Sequence, residues 1–169
     1  MLRSIIASAV VMSMAISYAS ASDIRRVVTG LDANDRSMAV SDRQLSLKEI
    51  QPDLSLGYLW VTDTFPVSPS KADTRDKVSG ISPPENGTQF GVVEFQPLDP
   101  ANPTPPIWHR TRTVDYVVVI SGEVDLVLDD SAVHLKAGDT VVQQATNHAW
   151  VNRGKDICRL LFVLMDAKP

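Results

Sequence analysis

The chain has 169 residues, 44% of them hydrophobic and 21% charged, which is enough for one globular domain with a hydrophobic core. Its net charge of −4, with lysine and arginine scattered among acidic residues, argues against a protein that binds nucleic acid. The single cysteine, Cys158, excludes an intramolecular disulfide, and its apolar neighbours predict a buried, unreactive thiol.

The N-terminal segment, residues 1–21, has the pattern of a secretory signal peptide. Arg3 supplies a positive charge, an apolar run follows from Ile5 to Tyr18, and the segment ends in the small-x-small sequence Ala-Ser-Ala. The run is too short and too rich in serine for a membrane span. We therefore expect export to a periplasm, with a mature chain that starts near Ser22 and has no membrane span. If the segment is not cleaved, it is instead an N-terminal helix of a cytoplasmic protein.

Residues 22–88 predict strands and loops that join a barrel. The segments with strand character up to the middle of the chain are 25–29, 38–40, 56–62 and 88–96. The turn-rich residues between the first two predict an extended N-terminal hairpin. Prolines and glycines make residues 63–88 a predicted loop, and five prolines between 97 and 106 predict a stiff, extended connector.

Residues 89–169 predict the core barrel. From Ile107 onward almost every segment has strand character, and Val124, Leu126 and Leu128 alternate with polar residues as in a half-buried strand. Turns recur at intervals of about ten residues. This spacing, without a long helical period, predicts an all-β sandwich or barrel.

Two histidines of this region stand in separate strand contexts. Around the first, His109, Thr111, Asp115 and Gly122 have the spacing of a His-x-His, a carboxylate and a glycine. Thr111 stands where the second histidine of that motif is expected, and Asp115 stands in place of a glutamate. Position 103 is proline, where the motif begins with glycine.

The second histidine, His148, belongs to a similar arrangement. Gly138 starts it, and His148 and Asn152 match a histidine followed by an asparagine four residues later. Gln143 and Ala145 stand where the motif has proline and glycine.

Through these two motifs, the segment from Phe90 to Asp166 resembles a cupin. The resemblance implies an all-β jelly-roll barrel, here with an N-terminal arm and a signal segment. It is strongest to small single-domain cupins with an H-R-T-x-T-x-D-Y stretch, some of which accompany polyketide or aromatic tailoring pathways. Many cupins also pair through N-terminal strands, so the resemblance implies a homodimer that uses residues 25–40.

The resemblance also implies a divalent metal inside the barrel. His109, His148 and Asp115 would form a two-histidine, one-carboxylate set suited to Fe, Mn or Zn. Strand alternation places Thr111 on the same face as His109. Against this, aspartate reaches about 1.3 Å less far than glutamate, and a neutral threonine is a poor ligand. Without a metal, His109 would hydrogen-bond Asp115, and Asn152 would orient His148.

The same residues are the candidate catalytic set, because histidine and aspartate can transfer protons. The expected pocket wall comprises Thr111, Tyr116, Trp150 and Asn152. His134, on the opposite pleat, is expected at the surface.

Three functions are compatible with this constellation. The first is a small-molecule enzyme, with a metal-dependent lyase, dehydratase, decarboxylase or oxidoreductase reaction on a small carbonyl or aromatic, polyketide-like compound. The second is a metal-free acid–base isomerase or lyase. The third is a non-catalytic protein that binds a small ligand. We favour an enzyme, because polar groups inside an apolar barrel are costly to bury and usually serve a site.

Overall fold

The computed structural model describes residues 23–70, 72–77 and 80–168. The predicted signal segment lies outside these residues, so export and cleavage near Ser22 stay predictions. Within the described residues the only helix is a single 3₁₀ turn, Arg75–Lys77, and no helix there is long and apolar enough to cross a membrane. The prediction of an all-β protein is confirmed.

Antiparallel strands form three sheets in this part of the chain. The main sheet has the order β3-β4-β5-β11-β6-β9, a second has the order β10-β7-β8, and β1 pairs only with β2. The strands are β1 (Ile24–Leu31), β2 (Ser37–Leu45), β3 (Lys48–Gln51), β4 (Leu54–Thr62), β5 (Thr88–Phe95), β6 (Thr113–Ser121), β7 (Glu123–Leu128), β8 (Ala132–Lys136), β9 (Thr140–Gln144), β10 (His148–Val151) and β11 (Cys158–Asp166).

The hydrophobic core lies between the main sheet and the three-stranded sheet. Val117, Val119 and Leu160 of the main sheet pack with Val124 and Leu126 of β7. These side chains point inward because each follows the period-two alternation of its strand. Cys158 belongs to the same cluster, and burial raises the pKa of its thiol to about 11, which confirms the expected buried thiol.

The N-terminal hairpin is longer than the sequence pattern predicts. β1 and β2 pair from Ile24 to Leu45, and the buried guanidinium of Arg26 fastens them to the body of the protein. Its Nη1 donates to the Leu59 carbonyl oxygen at 2.8 Å, and both Nη atoms contact the carboxylate of Asp73. The Arg26 hydrogen bond lowers the pKa of Asp73 to about 2. This contact also anchors the long loop after β4.

Two glycines with positive φ allow a test of backbone constraints. Gly122 (φ 72°) turns between β6 and β7, and a Cβ there would lie 2.5 Å from the Ile157 carbonyl oxygen. Gly138 (φ 95°) has open space around it.

We expect Gly138→Ala to lower the free energy of unfolding by about 1–2 kcal/mol, from backbone strain alone. Gly122→Ala should cost more, because the backbone must also move. Urea denaturation measures both, and equal losses would contradict the steric argument.

Candidate functional site

A cavity of about 780 Å³ lies between the two larger sheets. Its wall is mostly apolar, with Val93, Val117 and Phe162 from the main sheet and Trp150 from β10. The volume is in the range typical of small-molecule sites. The polar residues on this wall therefore stand out as candidates for chemistry.

Two histidines from distant parts of the chain meet at this wall. His109 and His148 form an isolated antiparallel bridge, in which each backbone N–H donates to the other's carbonyl oxygen at 3.0 Å. The centroids of their rings are 4.2 Å apart, and the ring planes are inclined by 56°. The two imidazoles are thus close enough to contact the same small molecule, as the sequence motifs predict.

Asp115 brings a carboxyl group to the same cavity. It lies on β6, is 5% exposed, and its Oδ1 has no hydrogen-bond partner among the described residues. Desolvation raises the pKa of this carboxyl, although the Thr113 hydroxyl and the nearby His109 favour the charged form. A buried acceptor without a partner is costly, so a ligand that donates a hydrogen bond here would gain affinity.

His148 is 3% exposed, and its contacts involve a residue that the sequence analysis did not single out. Its Nδ1 lies 2.5 Å from Nε2 of Gln143 and 3.0 Å from the carbonyl oxygen of Thr146. Gln143 also lines the cavity. The period-two alternation of β9 indicates that Gln143 points inward, whereas the family motif marks this position only as a departure from proline. Burial is the main cause that lowers the pKa of His148.

Two of the four predicted pocket residues lie on the cavity wall, and two do not. Thr111 and Trp150 line it. Tyr116 is 51% exposed, because it points from β6 to the side opposite Asp115. Asn152 is buried but not on the wall of this cavity. Its amide nitrogen donates to the carbonyl oxygens of Phe95 and Asp156, both at 2.8 Å, so it fastens the turn after β10.

The residues present do not fit the predicted three-ligand metal site. Among the residues that the structure covers, no three His, Cys, Asp or Glu side chains form a group that could hold a metal ion. The two imidazoles meet, but the Asp115 carboxyl is hydrogen-bonded to its strand neighbour Thr113. The Thr111 hydroxyl is likewise occupied, 2.7 Å from that of Thr113. One oxygen of Asp115 is thus used by Thr113, while its Oδ1 has no partner among the described residues.

β3, β4 and the loop after β4 supply much of the cavity wall. β3 contributes Ile50, β4 contributes Leu56 and Tyr58, and the loop after β4 contributes Ile81. The Tyr58 hydroxyl donates to the Gly80 carbonyl oxygen at 3.2 Å, and its ring packs edge-on against Phe162. This part of the wall depends on strand pairing between distant segments, which local patterns do not reveal.

Comparison of the sequence with known proteins identifies related chains. A family model described as "Cupin domain" matches residues 91–164. "Phomopsin biosynthesis cluster protein C'" of Diaporthe leptostromiformis is 42% identical over 92 residues, which cover 53% of this chain and 46% of that protein. "Cupin-domain-containing oxidoreductase fogC" of Aspergillus ruber is 30% identical over 156 residues, covering 88% of this chain and 75% of that protein. The chain thus spans about half of the first relative and three quarters of the second.

A solved structure gives the same fold. The structure described as ethanolamine utilization protein Q of Salmonella typhimurium superposes with a TM-score of 0.50 over 87% of this chain and 99% of that chain. The sequences are only 12% identical, so this likeness concerns the fold alone. The jelly-roll prediction is confirmed.

The pKa values of His134 and His148 are expected to lie on opposite sides of the ordinary histidine value of 6.5. Burial lowers the pKa of His148. The exposed His134 lies 2.8 Å from Asp125, and this hydrogen bond raises its pKa. NMR titration of the ring protons should therefore show His134 losing its proton above pH 6.5 and His148 below it.

The consequences for stability have opposite signs. The His134 contribution is complete below pH 6.5 and is lost as the pH rises through its folded-state pKa. The lowered pKa of His148 reduces the free energy of unfolding as the pH falls below 6.5, because the unfolded chain takes up the proton first. Identical titration curves for the two rings would contradict the assignment.

Proposed function

The chain belongs to the cupin family, and from that premise we propose that its cavity is the active site of a small-molecule enzyme of the oxidoreductase type. One observation carries the proposal. The His109 and His148 rings, 4.2 Å apart, lie with the buried Asp115 carboxyl on the wall of a largely apolar cavity. The name of the Aspergillus ruber relative supports the reaction class.

The proposed substrate is uncharged and largely apolar, with a hydroxyl or carbonyl group at the histidine end. The apolar wall favours a hydrophobic body. The cationic residues on the wall are Lys48, on β3, and Arg75, in the turn after β4. β3 is four places from β6 in the main sheet. Lys48 is therefore remote from the imidazoles, and a carboxylate placed beside them would crowd the buried Asp115 carboxyl. Small aromatic or polyketide-like carbonyl compounds meet this description.

The chemistry available to these residues is proton transfer and hydrogen bonding. His148 favours its neutral form, and burial also favours the protonated form of Asp115. A neutral imidazole can accept or donate a proton, and a carboxyl in its protonated form can donate to a developing oxyanion. In an alcohol–carbonyl conversion, these groups would move the hydroxyl proton and stabilise the charge on oxygen, and the hydride would pass to, or come from, a separate two-electron carrier that binds as co-substrate.

A metal-free acid–base isomerase or lyase is the second candidate. It is favoured because two imidazoles and a buried carboxyl lie on one cavity wall, yet no three-ligand metal group forms among the described residues. Elemental analysis for Fe, Mn and Zn in untagged protein, followed by assay after chelation, separates it from a metal-dependent enzyme. Unchanged turnover in metal-free protein supports the acid–base reaction, whereas turnover that is restored only by one of these ions supports the metal-dependent one.

The double variant His109→Ala/His148→Ala tests the site. Turnover of a panel of aromatic and aliphatic alcohols and aldehydes, assayed with a nicotinamide or flavin as the two-electron carrier, is expected to fall at least about 100-fold, because general acid–base groups contribute roughly this much. Circular dichroism should still show a folded β-protein. The control is His134→Ala, which removes an exposed imidazole outside the cavity wall. Full activity in the double variant would refute the catalytic role, and saturable binding without turnover in the wild type would favour a binding protein.

We also propose that two copies of the chain pair through the N-terminal hairpin. A two-stranded sheet is marginally stable alone, and this one exposes Val27, Leu31, Met38 and Val40. The outer face of β6 and β9 is also apolar and uncovered, with Tyr116 directly opposite Val142. The hairpin of one copy laid over this face of its partner would cover both surfaces.

Sedimentation measurements test the pairing. The wild type is expected to be a dimer, and Val142→Lys should shift it towards monomer, because the charge would be buried in the interface. Val133→Lys is the matched control, since Val133 is also exposed but lies on β8 in the other sheet. A monomeric wild type, or equal dissociation in both variants, would overturn the proposal.

A further inference from the structure

The two imidazoles at the cavity wall have different partners on their Nδ1 atoms. Nδ1 of His109 lies 3.2 Å from the carbonyl oxygen of Ile107. A carbonyl oxygen can only accept a hydrogen bond, so this contact requires a proton on Nδ1. In the neutral ring, Nε2 of His109 then carries a lone pair and acts as an acceptor.

The surroundings of His148 favour the opposite tautomer. Its Nδ1 is 2.5 Å from the amide nitrogen of Gln143, a group that can only donate. The Thr146 carbonyl oxygen lies farther from the same Nδ1, at 3.0 Å, and the close approach of the amide N–H leaves no room for a proton on that nitrogen. The amide is held in place by the Thr146 hydroxyl at 2.7 Å. Gln143 itself is 4% exposed, so water does not compete for these bonds.

We propose that Gln143 is a positioning residue that holds His148 in the tautomer with its proton on Nε2, opposite to the tautomer of His109. The pair then presents one donor and one acceptor to a molecule in the cavity. A hydroxyl group satisfies both, because its oxygen accepts from Nε2–H of His148 while its proton is donated to Nε2 of His109. Only the expected effect on turnover rests on the proposed function. The tautomers themselves can be observed without substrate.

The pairing has a direct chemical consequence. When the hydroxyl proton moves to Nε2 of His109, the negative charge that develops on the substrate oxygen is stabilised by the Nε2–H of His148. The proton ends on the first ring, and the second ring keeps its own. A pair of rings in the same tautomer would offer two acceptors or two donors, and would bind a hydroxyl less well.

The test is long-range ¹H–¹⁵N NMR of the histidine side chains in the full chain at alkaline pH. In the wild type, Nε2 of His148 and Nδ1 of His109 are expected to be the protonated nitrogens. Gln143→Glu replaces the amide donor by a carboxylate, which only accepts, and should move the His148 proton to Nδ1 while leaving His109 unchanged. Gln143→Leu removes the donor without adding charge and should shift His148 in the same direction, with the Thr146 carbonyl oxygen as acceptor.

Gln144→Glu is the matched control, because it adds the same charge at the next, exposed position of β9. It should leave both tautomers unchanged. A wild-type His148 protonated on Nδ1, or a Gln143→Glu protein with an unchanged His148 tautomer, overturns the inference. Turnover should fall about tenfold or more in Gln143→Glu, mainly in kcat. If the NMR result is as expected and no alcohol or aldehyde is turned over by the wild type, the proposed function fails while the tautomer assignment stands.

Discussion

The candidate site depends on one pair of backbone hydrogen bonds, between His109 and His148. These bonds join the end of the proline-rich connector to the first residue of β10, and they are the only pairing between those two segments in the described residues. Because residues directly opposite each other in an antiparallel bridge point their side chains to the same side, the bridge places both imidazoles on one wall. The other end of the connector is held by the Leu98 N–H, which donates to the Asn152 carbonyl oxygen at 2.8 Å.

The second constraint is the cost of polar groups in an apolar cavity. Asp115 and Gln143 are each less than a tenth exposed, and both line it. Gln143 recovers the cost through contacts with Thr146 and His148, whereas one oxygen of Asp115 remains without a partner in the described part of the chain. A fold that needed only a stable core would be better served by apolar residues here. The polar set is therefore best understood through a ligand that completes its hydrogen bonds.

The family motifs identified the correct region but were less informative about the arrangement of its side chains. Their spacing correctly brought His109 and His148 together, because spacing along strands determines which face a residue occupies. It also suggested a metal-binding carboxylate at Asp115, whereas one oxygen of that carboxyl is bonded to the Thr113 hydroxyl and no three-ligand group forms among the described residues. Asn152 illustrates the same limit, since the motif position is kept but the side chain fastens a turn.

The sequence by itself determined the all-β class, the jelly-roll family and the inward positions of the barrel strands, because alternation and turn residues act locally. It also indicated which residues carry chemistry. Only the tertiary structure decided how these residues meet. β3 is the edge strand of the main sheet and lines the cavity, although its sequence has no local strand signal. The outward position of Tyr116, by contrast, follows from the alternation of β6, which Val118 and Ile120 share. The partners of His148 were likewise decided by the close approach of the β9 and β10 side chains in the folded chain, since the proton position of an imidazole follows from the atoms around it and not from the residue's place in a motif.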